Sequence, residues 1–166
     1  MKRILPTYFL LQGIMFLGLA LNAAGQAPPA GFCNIRALSD SCTGFLKPFH
    51  YSGQNALHVA LKSEPQEKEV IFPAFKGETY RIIINTRDMP KGTEVAIYDQ
   101  DKRHKKRQPL FTNNNNGVCN FDTGSKSGRL YIDYTIPAAT SVNYSGCAAI
   151  LIGFENDSGK GAQKKK

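Results

Sequence analysis

From about residue 45 to 155, Val, Ile, Leu, Tyr and Phe come in short bursts parted by Gly, Pro, Asn and Asp. That rhythm predicts β-strands near 45–51, 55–62, 68–75, 78–86, 93–99, 108–112, 118–122, 128–136 and 147–154. The segment GRLYIDYTI shows the rule within one strand. Leu130, Ile132, Tyr134 and Ile136 share one face, and Arg129, Tyr131 and Asp133 share the other, as expected when one side is buried and one is wet. No helical stripe interrupts the series; CNIRALSDSC (33–42) has room for one turn. Eight or nine short strands without intervening helices predict an all-β fold, an antiparallel β-sandwich of the jelly-roll kind. Two sheets are needed because one alone would leave Ile82, Ile84, Val95 and Ile97 in water. Tyr80, Tyr98, Phe111, Phe121 and Phe154 are expected in the core and Tyr131 outside it. Asn113–Asn116 followed by Gly117 predicts a turn.

The amino end changes the picture of where the chain works. Lys2 and Arg3 precede an apolar stretch from Tyr8 to Leu21 and then a small-residue run, which is the order of a secretory signal peptide and too short for a comfortable membrane span. Cleavage after Gly25 places Gln26 first; cleavage after Ala27 would leave Pro28 first. The expected organisation is a signal peptide at 1–25, a leader with a disulfide-closed loop at 26–44, a sandwich at 45–155 and a disordered basic tail at 156–166. The mature chain is expected to be periplasmic or extracellular, without a membrane span.

Four cysteines, Cys33, Cys42, Cys119 and Cys147, suit an oxidising compartment. Their spacing lacks the close pairs of zinc sites. Three pairings are open, and proximity favours Cys33–Cys42 and Cys119–Cys147. The formal charge is +8, from 21 basic and 13 acidic side chains, but it is unevenly placed. Setting aside Lys2, Arg3, the five cations of 102–107 and the four of 160–166 leaves ten basic residues against the thirteen acidic ones. The body is mildly acidic, with two cationic appendages.

FKGETYRIIIN (75–85), TEVAIYDQD (93–101), SGRLYIDYTI (127–136) and SGCAAILIGF (145–154) together resemble the bacterial pre-peptidase C-terminal domain. In that pattern a Gly-polar-Thr-aromatic turn opens one strand, a strand ending in Tyr-Asp follows, and a Gly-aromatic strand comes later. The last stretch and the C-x8-C start are also similar to small secreted proteins of Bacteroidota-type bacteria. The resemblance implies a non-catalytic jelly roll serving adhesion, solubility, or carbohydrate or collagen contact.

Candidate chemistry is sparse. The histidines are His50, His58 and His104; a triad of Ser52, His50 and Asp40 has no local nucleophile motif behind it. No cofactor is implied, although Asp99 and Asp101, with Asp122, could offer oxygen ligands to calcium. The strongest feature is DKRHKKRQ (101–108). Lys102, Arg103, His104, Lys105, Lys106 and Arg107 lie within about one Debye length of each other, with Lys164, Lys165 and Lys166 as a second, flexible arm. Such a run either holds an anionic partner or stays solvated as a connection that guards a sheet edge. Anionic polysaccharide, lipid headgroups or an envelope protein fit the first case. Nucleic acid fits poorly, since no aromatic residue interleaves the run, and the lack of Trp removes the usual sugar-stacking platform. The expected function is therefore a non-catalytic binding or structural accessory of the cell envelope. The alternatives are a secreted hydrolase with a site drawn from distant strands, or a component of a surface assembly that docks by a sheet edge.

Overall fold

Residue parity decides which side of each strand meets the core, and in this protein two strands are apolar at both parities. The computed structural model describes residues 33–140 and 145–156. The expected signal peptide, residues 26–32 of the leader, and the tail beyond 156 with Lys164, Lys165 and Lys166 lie outside the described residues. Helix α1 (Ile35–Asp40) and a 3-10 turn (Thr43–Phe45) precede eight strands. These are β1 (His50–Ala60), β2 (Gln66–Ala74), β3 (Glu78–Asp88), β4 (Glu94–Tyr98), β5 (Phe111–Asn113), β6 (Val118–Asp122), β7 (Gly128–Ile136) and β8 (Ser145–Asn156).

One sheet has the order β1-β8-β3-β6 and the other β2-β7-β4-β5, with every pairing antiparallel. Successive strands alternate between the sheets except at β4 and β5, which pair as neighbours in the second, giving the jelly-roll topology expected from the strand rhythm. The facing sides enclose Ile82, Ile84 and Ile150 from the first sheet and Val95, Ile97, Leu130, Ile132, Tyr134 and Ile136 from the second. Tyr80 is buried with them, and Phe111, Phe121 and Phe154 pack at the margin. Tyr98 departs from the expected core set and stands on the far side of its sheet.

The two central strands of the first sheet, β8 and β3, are buried on both faces. Leu38, Cys33 and Ile35 pack on Cys147 and Ala149, while Cys42 and Leu46 pack on Ile83 and Leu151. Residues 33–46 are thus a structural cover, not a loose leader. This accounts for the uninterrupted apolar runs Ile82-Ile83-Ile84 and Ala148–Ile152, which have no wet side to alternate with. Asn34 starts α1 by accepting the Ala37 amide on Oδ1 at 3.0 Å. Buried Asn85 on β3 finishes it, donating Nδ2 to the Leu38 carbonyl (3.2 Å) and to Ser41 Oγ (2.9 Å). The strand expected at 45–51 does not form before His50. Leu46 and Phe49 instead lie against Gly153 of β8, where an added Cβ would stand 2.9 and 2.8 Å from them, so β8 approaches the cover as closely as a glycine permits.

The cysteine pairing differs from the expectation. Cys33 bonds to Cys147, with Cα atoms 5.9 Å apart across 114 residues of sequence, a separation a disulfide spans comfortably. Cys42 and Cys119 are free. Parity explains the correction. Cys147 faces the cover, where Cys33 sits; Cys119 lies in register with Ile84 and packs on the core between the sheets. Cys42 is used up beneath the cover, its Sγ donating to the Leu38 carbonyl at 3.2 Å. Neither proposed pair, Cys33–Cys42 nor Cys119–Cys147, is made.

Candidate functional site: a basic loop folded over a polar cleft

The connection from β4 to β5, residues 99–110, is built as two consecutive turns. The His104 amide donates to the Asp101 carbonyl and the Arg107 amide to the His104 carbonyl, both at 3.1 Å. Asp101 Oδ1 accepts the Arg103 amide at 2.9 Å, the side-chain-to-backbone bond that stabilises an Asx turn. The second turn places Lys105 and Lys106 at its two central positions. The Leu110 amide then returns to the Ile97 carbonyl at 2.7 Å, which closes the loop and starts β5.

The cations of this run have different fates. Arg107 folds back over the outer face of the second sheet and bonds Asp133 of β7. Its guanidinium lies 3.8 Å from the centre of the Tyr98 ring, and the two ion-paired side chains are only 16% and 13% exposed. Lys102 reaches Glu67 of β2 at 3.3 Å. Arg103 pairs with Asp101 at 2.6 Å yet remains 89% exposed, and His104 Nδ1 lies 3.3 Å from the same carboxylate. Lys105 and Lys106 are exposed and have no ion-pair partner among the described residues. The expected field of five free cations is therefore smaller: two are pinned to the sheet, and Arg103, Lys105 and Lys106 project.

The three aspartates considered as calcium ligands are not brought together. Asp99 pairs with Lys126 at 3.5 Å, Asp101 serves the loop, and Asp122 makes a two-pronged contact with Arg81 at 2.7 and 2.6 Å. Among the described residues no group of three acidic, histidine or cysteine side chains is placed to hold a metal ion. Hydrogen bonding from Arg103 holds the Asp101 carboxyl well below the usual carboxylate range, as a carboxylate surrounded by donors should be.

Between the folded-back loop and the sheet lies a cleft of about 430 Å³, lined by Glu67, Glu94, Tyr98, Lys102, Arg107 and Asp133 among others. Glu69 stands beside it, in register with Asp133. Its carboxyl is shifted upward, first by lost hydration and then by the neighbouring Asp133 carboxylate. Like charges held on neighbouring strands disfavour the ionised form. The pair was not among the expected site residues, although Asp133 does fall on the wet face of its strand by alternation.

No protein-family model matches the chain, and no curated protein matches it. The likeness to the pre-peptidase C-terminal pattern therefore rests on the strand motifs alone. Its jelly-roll expectation agrees with the topology, which by itself carries no activity.

Proposed function

We propose that this chain is an exported, non-catalytic binding module of the cell envelope that meets anionic polymers through the tip of its β4–β5 loop. One observation supports the reading above the others. Arg103, Lys105 and Lys106 project from a loop whose two ends are fastened to the second sheet, Lys102 to Glu67 and Arg107 to Asp133. A fastened loop has surrendered its conformational freedom before binding, so less is lost on contact with a ligand. Three projecting cations on a mildly acidic body suit phosphate or sulfate groups spaced along a polymer or a headgroup layer. The tail lysines, Lys164–Lys166, would add a second contact.

The test uses two probes separately, a sulfated polysaccharide column and vesicles rich in anionic lipid, each over a range of salt. Retention should fall steeply with salt. Changing Arg103, Lys105 and Lys106 together to Ser should remove most of it with the melting temperature unchanged. The probe that loses more identifies the source of the anion. Undiminished retention in the triple variant would refute the proposal.

A further inference from the structure

A jelly roll leaves four edge strands, and in this protein three of them are blunted. β2 carries Glu67, Lys68, Glu69 and Pro73; β5 has three residues; β6 has five and ends at Asp122, held by Arg81. Charges, proline and shortness are among the devices that stop a sheet edge from pairing with another chain. β1 has none of these three, and its one irregularity is a bulge between Tyr51 and Gly53. Its eleven residues, HYSGQNALHVA, contain no Lys, Arg, Asp, Glu or Pro, and they occupy the edge of the first sheet beside β8. Tyr51, on the same strand, leaves a ring 56% exposed.

The polar groups on the open side show which residues face outward. The Ala56 amide donates to Asn55 Oδ1 at 2.7 Å, and the Ala60 carbonyl accepts from Gln66 Nε2 at 3.2 Å. From Gly53 onward the even-numbered residues thus turn their main-chain groups away from β8, and the partners that Ala56 and Ala60 have there among the described residues are side chains, which an incoming strand can displace.

We infer that β1 docks antiparallel on β1 of a second copy, joining the two first sheets into one eight-stranded sheet across a two-fold axis. The regular stretch beyond the bulge, Gly53–Ala60, extends roughly 27 Å. Pairing along it offers up to about eight main-chain hydrogen bonds, within the range an ordinary protein interface carries. A second copy is the occupant that charge favours. Because the strand is uncharged, two-fold pairing sets no like charges opposite each other, which is the usual obstacle to self-association of an edge. The alternation of faces is preserved across an antiparallel pair, so the axis stands normal to the sheet. The second sheets of both copies, with their basic loops, then lie on one side of the dimer.

Sedimentation velocity over a concentration series tests this. The wild-type chain should dimerise. Ala56→Pro removes an outward amide while sparing the ladder to β8, a substitution edge strands tolerate. His58→Lys places a charge on an exposed edge position. Each should weaken dimerisation by about tenfold or more, with the circular dichroism spectrum of the folded chain retained. A wild-type chain that stays monomeric at every concentration would overturn the inference, as would a dimer indifferent to both substitutions. So would a monomer that pairs its edge only with a foreign strand peptide.

Discussion

Replacing Arg107 with Ala separates the anchoring from the presenting half of the basic loop. The substitution removes the bond to Asp133 and the stacking on Tyr98, and it leaves the Asp133 carboxylate beside Glu69 without its nearest cation. Exposed pairs are worth about 0–1 kcal/mol, and breaking a fully buried one costs about 3–5 kcal/mol. Side chains that are 16% and 13% exposed fall between these limits, so a loss of about 2–3 kcal/mol is expected. For a domain of this size that lowers the melting temperature by roughly 6–12 °C. The pH dependence supplies a second readout. A carboxyl whose folded pKa is raised, as for Glu69, contributes stability below its unfolded pKa and loses it as pH rises through the folded value. Arg107 restrains that rise. Without it, the deficit of the variant should widen as pH climbs through the carboxyl range to neutrality and narrow in acid, modestly, because Glu69 is exposed and screened. Thermal melts by circular dichroism at several pH values measure both effects. A variant that melts like the wild type at neutral pH would refute the anchoring role, and a deficit independent of pH would show that lost packing, not charge, accounts for it.

Two other predictions concern the cover on the first sheet. Thiol titration of the denatured, unreduced chain should find two reactive groups, Cys42 and Cys119, and four after reduction; a Cys147→Ser chain should lose about 2–5 kcal/mol of stability, whereas finding no thiols before reduction would contradict the pairing. Asn85→Ala leaves the Leu38 carbonyl and the Arg87 amide, which Asn85 Oδ1 accepts at 3.1 Å, without their partner in a buried place. Denaturant melts should register a loss of about 1–3 kcal/mol, and an unchanged midpoint would deny Asn85 its part in holding α1.

Strand alternation made the sandwich legible because it records burial directly. Leu130, Ile132, Tyr134 and Ile136 go inward as their spacing requires, and Asp133 goes outward. The cover was legible in principle: a run such as Ile82-Ile83-Ile84 has no polar side, so something must lie over its second face. The candidate for that role, residues 33–46, gave no periodic sign of it, since one short helical turn is too brief to show a stripe. The cysteine partners followed face rather than distance along the chain, and Cys147 sits in a strand apolar at both parities, where alternation gives no face. The site was least legible. Whether Arg107 or Lys105 would bend back to Asp133 depends on the two turns of the loop, and six neighbouring basic or imidazole side chains look alike until those turns exist. The placing of Glu69 opposite Asp133 depends on the β2–β7 register, which pairs residues 64 positions apart.

The Cys33–Cys147 bond has a consequence for how such a chain matures. A polypeptide made amino end first presents Cys33 early and Cys147 only 114 residues later. The clasp over the first sheet cannot shut before Cys147 has emerged, and in the meantime Cys42 and Cys119 are available as rival partners. Fidelity at this step falls to β8, whose place between β1 and β3 brings the right sulfur to the cover.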